Sequence, residues 1–166
     1  ITPWNGPIDG TTRVTLSGSS FLQPSLQCKL GTMGAVTGTW IAGPPGSVKC
    51  QTPIRPAGGG GWVAAALLSF SMTYESSTNF YYHDSLYVSE LTPWVGPLGG
   101  GTRVNVLGSN FKDAGYWKCR FKLGTKVVYA RYVDTNQLEC SSPDHTAGSK
   151  DVEVSMNAQQ FTDDDI

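Results

Sequence analysis

The sequence is poor in residues that perform chemistry. It carries two His and four Cys in 166 residues, and no two Cys stand in a Cys-x-x-Cys spacing. That excludes the usual zinc frameworks. Charged residues make up 15% of the chain, well under the usual quarter, and the formal net charge is −1. A nucleic-acid-binding domain normally needs a clear basic excess, so no nucleic-acid partner is expected. The longest uninterrupted apolar run, Trp62 to Leu68, is seven residues; a membrane-crossing helix needs about 20. No stretch of eleven or more residues keeps a helical period without Gly or Pro, which argues against long helices. There is no Asn-x-Ser/Thr sequon, so N-glycosylation is not expected. The glycine runs lack the Lys-Ser/Thr of a phosphate loop and read as turns. With neither an initiator Met nor a signal peptide, Ile1 reads as an excision or processing boundary.

What the chain does have is a repeat. Residues 1–21 and residues 91–111 match at twelve of 21 positions, with Pro-Trp-x-Gly-Pro, Thr-Arg-Val and Gly-Ser-x-Phe in common. Cys50 and Pro53 return at the same offset as Cys140 and Pro143, and Cys28 returns within one residue as Cys119. Self-similarity at this period means duplicated modules. The boundary reads as near Val88 to Leu91, giving modules over 1–89 and 90–166. Aligning Phe161 with Phe80 places Ile166 close to Leu86. The last strand of the second module is therefore expected to be cut short, with the parent chain continuing into further repeats.

Each copy reads as short strands. Arg13-Val14-Thr15-Leu16 and Arg103-Val104-Asn105-Val106 alternate with period two, apolar on one face and polar on the other. Trp117, Cys119, Phe121 and Leu123 alternate against Lys118, Arg120 and Lys122. Leu68, Phe70 and Met72 alternate as an apolar face against Ser69, Ser71 and Thr73. Val152, Val154 and Met156 likewise stand against a polar face of Glu153, Ser155 and Asn157. Twenty Gly and ten Pro punctuate these runs, including Gly43-Pro44-Pro45-Gly46 and Gly58 to Gly61. About seven short strands per module fits an all-β sandwich.

Four Cys allow three pairings. Duplication favours pairing within each copy, Cys28 with Cys50 and Cys119 with Cys140. Each bridge would contribute about 3 kcal/mol by restricting the unfolded chain. Disulfides persist in oxidising compartments, which points outside the cytosol.

The run Pro-Trp-x-Gly-Pro-x-x-Gly-x-Thr-x-Val, followed by Gly-x-x-Phe, a Cys near Leu-Gly and Cys-x-x-Pro, resembles the IPT/TIG domain. The first copy carries it in Pro3 to Phe21, Cys28, Leu30-Gly31 and Cys50 to Pro53. The second carries it in Pro93 to Phe111, Cys119, Leu123-Gly124 and Cys140 to Pro143. Repeat one departs in a longer stretch after Pro53 that contains Gly58 to Trp62, and repeat two in two extra residues between Cys119 and Gly124. The resemblance implies two tandem immunoglobulin-like sandwiches. It also implies one of three settings: stalks of plexin-like receptors, fibrocystin-like ciliary proteins and surface adhesins; accessory domains of starch-processing enzymes; or Rel-like DNA-binding modules. Tandem copies with paired Cys favour the first.

No catalytic group emerges. His83-Asp84 and Asp144-His145 are the only His-carboxylate neighbours, and adjacent residues on a strand face opposite ways. Pro3, Pro7, Gly18, Gly108, Phe21 and Phe111 read as framework. Trp40, Trp62, Tyr81, Tyr82 and Tyr87 crowd the first module, and Trp62, standing after the glycines, is a candidate contact anchor. In the second module Lys118, Arg120 and Lys122 are expected to project together into solvent as a candidate surface for an acidic protein or glycan. Asp163-Asp164-Asp165 reads as a solvated strand end in preference to a calcium site. The sequence therefore reads as a non-enzymatic adhesion or recognition segment and spacer of a larger extracellular protein, without cofactor or metal. The alternative is an accessory glycan-binding segment of a secreted polysaccharide-active enzyme.

Overall fold

Alternating runs bounded by Gly and Pro become strands, and among the described residues there is no helix. The computed structural model describes residues 1–21, 25–55, 59–70, 72–114, 116–122 and 126–166. Gly58, Ser71, Leu123 and Gly124, which the sequence assigns to turns or strands, lie outside them. The chain divides into module one, Ile1–Asp84, and module two, Ser85–Ile166.

In module one, β1 (Asn5–Pro7), β2 (Arg13–Gly18), β3 (Leu26–Leu30), β4 (Val36–Thr37), β5 (Thr39–Ile41) and β6 (Gly46–Gln51) come first. They are followed by β7 (Gly61–Val63), β8 (Ala65–Ser69), β9 (Met72–Glu75) and β10 (Phe80–His83). One sheet runs β2-β6-β5, a second β4-β3-β8-β9 and a third β1-β10-β7. Val14, Leu16, Val48, Leu26, Leu30, Leu67, Phe80 and Tyr82 are buried between the layers. Burying each large apolar side chain stabilises the fold by about 1.5–3 kcal/mol. The Cys28–Cys50 disulfide ties β3 to β6 across this core.

The alternating side of Leu68, Phe70 and Met72 is not the inward one. Register pairs Leu26 with Ser69, Cys28 with Leu67 and Leu30 with Ala65, so the inward side of β3 selects Ala65, Leu67 and Ser69. Ser69 is fully buried, while Phe70 and Met72 are 70% and 50% exposed. Period two was legible, but its phase was set by the partner strand.

Module two comprises β11 (Tyr87–Thr92), β12 (Arg103–Ser109), β13 (Lys118–Phe121), β14 (Lys126–Asp134), β15 (Gln137–Ser141) and β16 (Val152–Ser155). β11 pairs along its length with β12. Residues 85–89, which the sequence reading attaches to the first module, therefore belong to module two, Tyr87 among them. β14 is long enough to pair with β13 through its first half and β15 through its second. It thereby joins both layers of the module, and Cys119–Cys140 crosses between them.

The duplication is visible in the registers. Val14 faces Cys50 as Val104 faces Cys140. Thr2 bridges Thr15 as Thr92 pairs with Asn105. Gly38 donates its amide to the Leu26 carbonyl as Ala130 does to Trp117, at 2.8 and 2.9 Å. The C-terminal segment corrects one alignment. Thr162 binds Val154 as Tyr74 pairs with Leu67, so residues 161–166 correspond to β9 and not to β10.

Candidate functional site

The Gly59–Gly61 stretch leads into β7 and places Trp62 at its centre. Gly59 takes a left-handed φ of +64°, and a Cβ on Gly60 would lie 2.9 Å from the Tyr82 carbonyl, so the close approach requires glycine. Two contacts pin the loop: Gly60 donates its amide to Asp84 at 2.9 Å, and Arg55 donates to the Gly61 carbonyl at 2.9 Å. Trp62 then pairs across the strands with Tyr81, which lies beside Asn5 of β1. Its indole stacks on Trp4 at 5.4 Å and 14°, and packs against Tyr81 at 5.1 Å. Trp62 remains 59% exposed. A held aromatic row with a large exposed edge offers contact area at little further cost in side-chain entropy. Trp4 was missed as a partner because the repeated Pro-Trp-x-Gly-Pro reads as framework.

Beneath the row, Tyr82 is fully buried and donates its hydroxyl to the Pro53 carbonyl at 2.9 Å. Burial pushes its phenol up to about 12, against the opposing pull of a Thr52 hydrogen bond and the Arg55 charge. Burial likewise lowers His83 below the ordinary histidine range, although its Nδ1 meets the Asp84 carbonyl at 2.8 Å. His83 and Asp84 thus sit in a structural hydrogen-bond arrangement. In module two, Asp144 binds Lys126 at 2.7 Å, and that ammonium holds its carboxyl below the usual range.

The basic face differs from expectation. Arg120 lies directly opposite Glu153 across β13 and β16, and forms a very close ion pair with it. Lys122 reaches the same carboxylate at 3.0 Å, and also Asp163 at 3.1 Å and Asp165 at 2.7 Å. These carboxylates raise Lys122 well above the ordinary lysine range, Asp165 foremost. Lys118 lies over the Tyr129 ring at 2.9 Å, and Arg120 over Phe161 at 4.2 Å. Glu153 is 2% exposed and Ser155 fully buried, so the polar side of β16 is covered as well as its apolar side. The C-terminal segment covers it and brings the acids that neutralise the cations. Each Asp of the 163–165 triplet has an internal partner, with Asp164 accepting the Val88 amide at 2.8 Å. Among the described residues, no group of three or more His, Cys, Asp or Glu is placed to hold a metal ion.

The IPT/TIG domain family model matches residues 1–83 and again 86–165. Human fibrocystin-L is 25% identical over 163 residues, covering 98% of this chain and 4% of that protein. Among solved structures, the full extracellular region of plexin A4 superposes with a TM-score of 0.64 at 16% identity. That match covers 95% of this chain and 14% of the plexin chain. A second plexin A4 extracellular structure gives 0.56 at 20% identity, covering 97% and 16%. At those identities the structural likeness speaks for the fold. The chain spans a small part of every one of these relatives.

Proposed function

The chain belongs to the IPT/TIG domain family in both halves, and from that premise we propose that it is an extracellular recognition and spacer segment of a larger cell-surface protein. The observation that carries the reading is the pair of tandem sandwiches, each with its own cross-layer disulfide. Disulfides of this kind belong to oxidising compartments, and the relatives include extracellular regions. The role in this reading is non-catalytic: His83 meets the Asp84 carbonyl, Asp84 holds the Gly60 amide and Asp144 pairs with Lys126.

The partner contact in this reading centres on Trp62 with Trp4 and Tyr81 in module one. Of the basic face, Arg120 and Lys122 are neutralised from within, so Lys118 is left as the rim charge that tunes encounter rate. Beads displaying the chain should bind cells that carry the partner. Trp62→Ala with Trp4→Ala should weaken that binding by at least about tenfold while leaving the fold intact. Undiminished binding by the folded double variant would remove the aromatic row from the reading. Binding confined to purified glycans on an array would instead favour the accessory glycan-binding role.

A further inference from the structure

β14 turns an alternating set of side chains outward, Val127, Tyr129, Arg131 and Val133, and all four are exposed. Tyr129 is 76% exposed. Register sets Tyr129 beside Lys118 and Arg131 beside Glu139, and on the next pair of strands it sets Arg103 beside Ser141. Ser141 is small, and a groove of about 370 Å³ opens here, lined by Arg103, Tyr129, Arg131, Glu139, Ser141 and Gly101 among others.

The charges of this face do not balance. Arg131 binds Glu139 at 2.9 Å, and Arg103 reaches the same carboxylate only at 3.5 Å. Both arginine side chains stand mostly in solvent, whereas Glu139 does not. The Lys118 ammonium lies over the Tyr129 ring, and among the described residues no carboxylate comes within ion-pair distance of it. Three cations thus share one carboxylate.

The fold does not require these side chains. The amide bonds from Gly38 to Leu26 and from Ala130 to Trp117 align the outward residues of β14 with Ala35, Thr37, Thr39 and Ile41. Those four are exposed as well. Their module has its closing strand β10 in place, so this side of the sandwich stays open when a module is complete. Where module two has Ser141 beside Arg103 and Glu139 beside Arg131, module one has Gln51 beside Arg13 and Lys49 beside Thr39. Threonine suffices for the strand. A tyrosine ring and guanidinium groups left in solvent are the side chains that anchor protein contacts.

We propose that the outward face of β14 is a docking surface for an acidic loop of a partner protein. A carboxylate of that loop enters the groove and takes donors from Arg103, with its methylenes against Tyr129. Lys118 adds a second uncompensated charge to the attraction. Apolar side chains of the same loop cover Val127 and Val133. A hydroxyl-rich glycan gains little from covering valines, so these flanks select protein. This surface stands on module two alone and owes nothing to the aromatic row of module one.

The test follows the 166-residue chain by NMR, with a capped peptide Gly-Val-Ser-Glu-Ser-Val-Gly and a control carrying Gln in place of Glu. At about millimolar peptide even weak binding is visible. The Glu peptide should shift the side-chain N–H signals of Arg103 and Arg131 and the amides of residues 127–133. It should bind at least about fivefold more tightly than the Gln peptide at low salt. That difference should shrink as salt rises from about 50 to about 500 mM. Tyr129→Thr with Arg131→Thr installs the residues of module one, and should abolish the shift at Arg103 with the unfolding temperature little changed. Absent shifts, equal binding of the two peptides, or binding that survives in the folded double variant overturns the proposal. A heparin tetrasaccharide that shifts the same signals at lower concentration than the Glu peptide assigns the face to a glycan and overturns it equally.

Discussion

Tyr82 shows how one buried polar atom links stability to pH. Its folded-state value of about 12 lies above the ordinary 10, so between these pH values the unfolded chain holds fewer protons than the folded one. The contribution is therefore complete below pH 10 and is lost as pH climbs through 12. Tyr82→Phe should cost about 1 kcal/mol at pH 7 through the lost bond to Pro53. Urea titrations should show that the gap to the parent narrows as pH passes from 10 to 12; a constant gap contradicts the assignment. Glu153 offers a second test. Arg120→Met with Lys122→Met leaves a buried carboxylate without its two cationic partners, and should lower the unfolding temperature of module two by several degrees. Adding Glu153→Met should restore much of the loss. Calorimetry that finds the double variant as stable as the parent would show that the cations are merely solvated.

Elements were legible in outline, and their facing less so. Alternation along residues 13–16 and 103–106 marked β2 and β12 and gave their inward side, because Val and Leu fall on one parity only. β8 reads Ala-Ala-Leu-Leu-Ser, where apolar residues occupy both parities, so only the pairing with β3 selects Leu67. The prediction is direct: Leu67→Ala should cost about 2–5 kcal/mol, and Phe70→Ser or Met72→Ser less than about 0.5 kcal/mol. Denaturant midpoints that reverse this order would put Phe70 and Met72 inward instead. The ion pairs of the basic face were not legible for a related reason. Alternation puts Lys118, Arg120 and Lys122 on one side of β13, but no local pattern reveals that Glu153, Asp163 and Asp165 come from elsewhere in the chain to meet two of them. The Trp62 anchor was legible from its glycines, whereas its stacking on Trp4, 58 positions away in sequence, was not.

At the scale of the whole molecule, duplication carried most of the information. A register repeated at one offset reports two copies of one fold, and it favours the pairing of cysteines within each copy over the two pairings between copies. Replacing Cys28 and Cys50 by Ala should destabilise module one by about 3 kcal/mol, because the bridge spans 22 positions. The same change at Cys119 and Cys140, spanning 21, should act on module two to a similar extent. The most direct test of two separately bridged modules is disulfide mapping of the chain expressed through a secretory pathway. Non-reducing proteolysis and mass spectrometry should yield peptides joined as Cys28–Cys50 and Cys119–Cys140 and no others. A bridge between the modules, or four free thiols, would contradict the account.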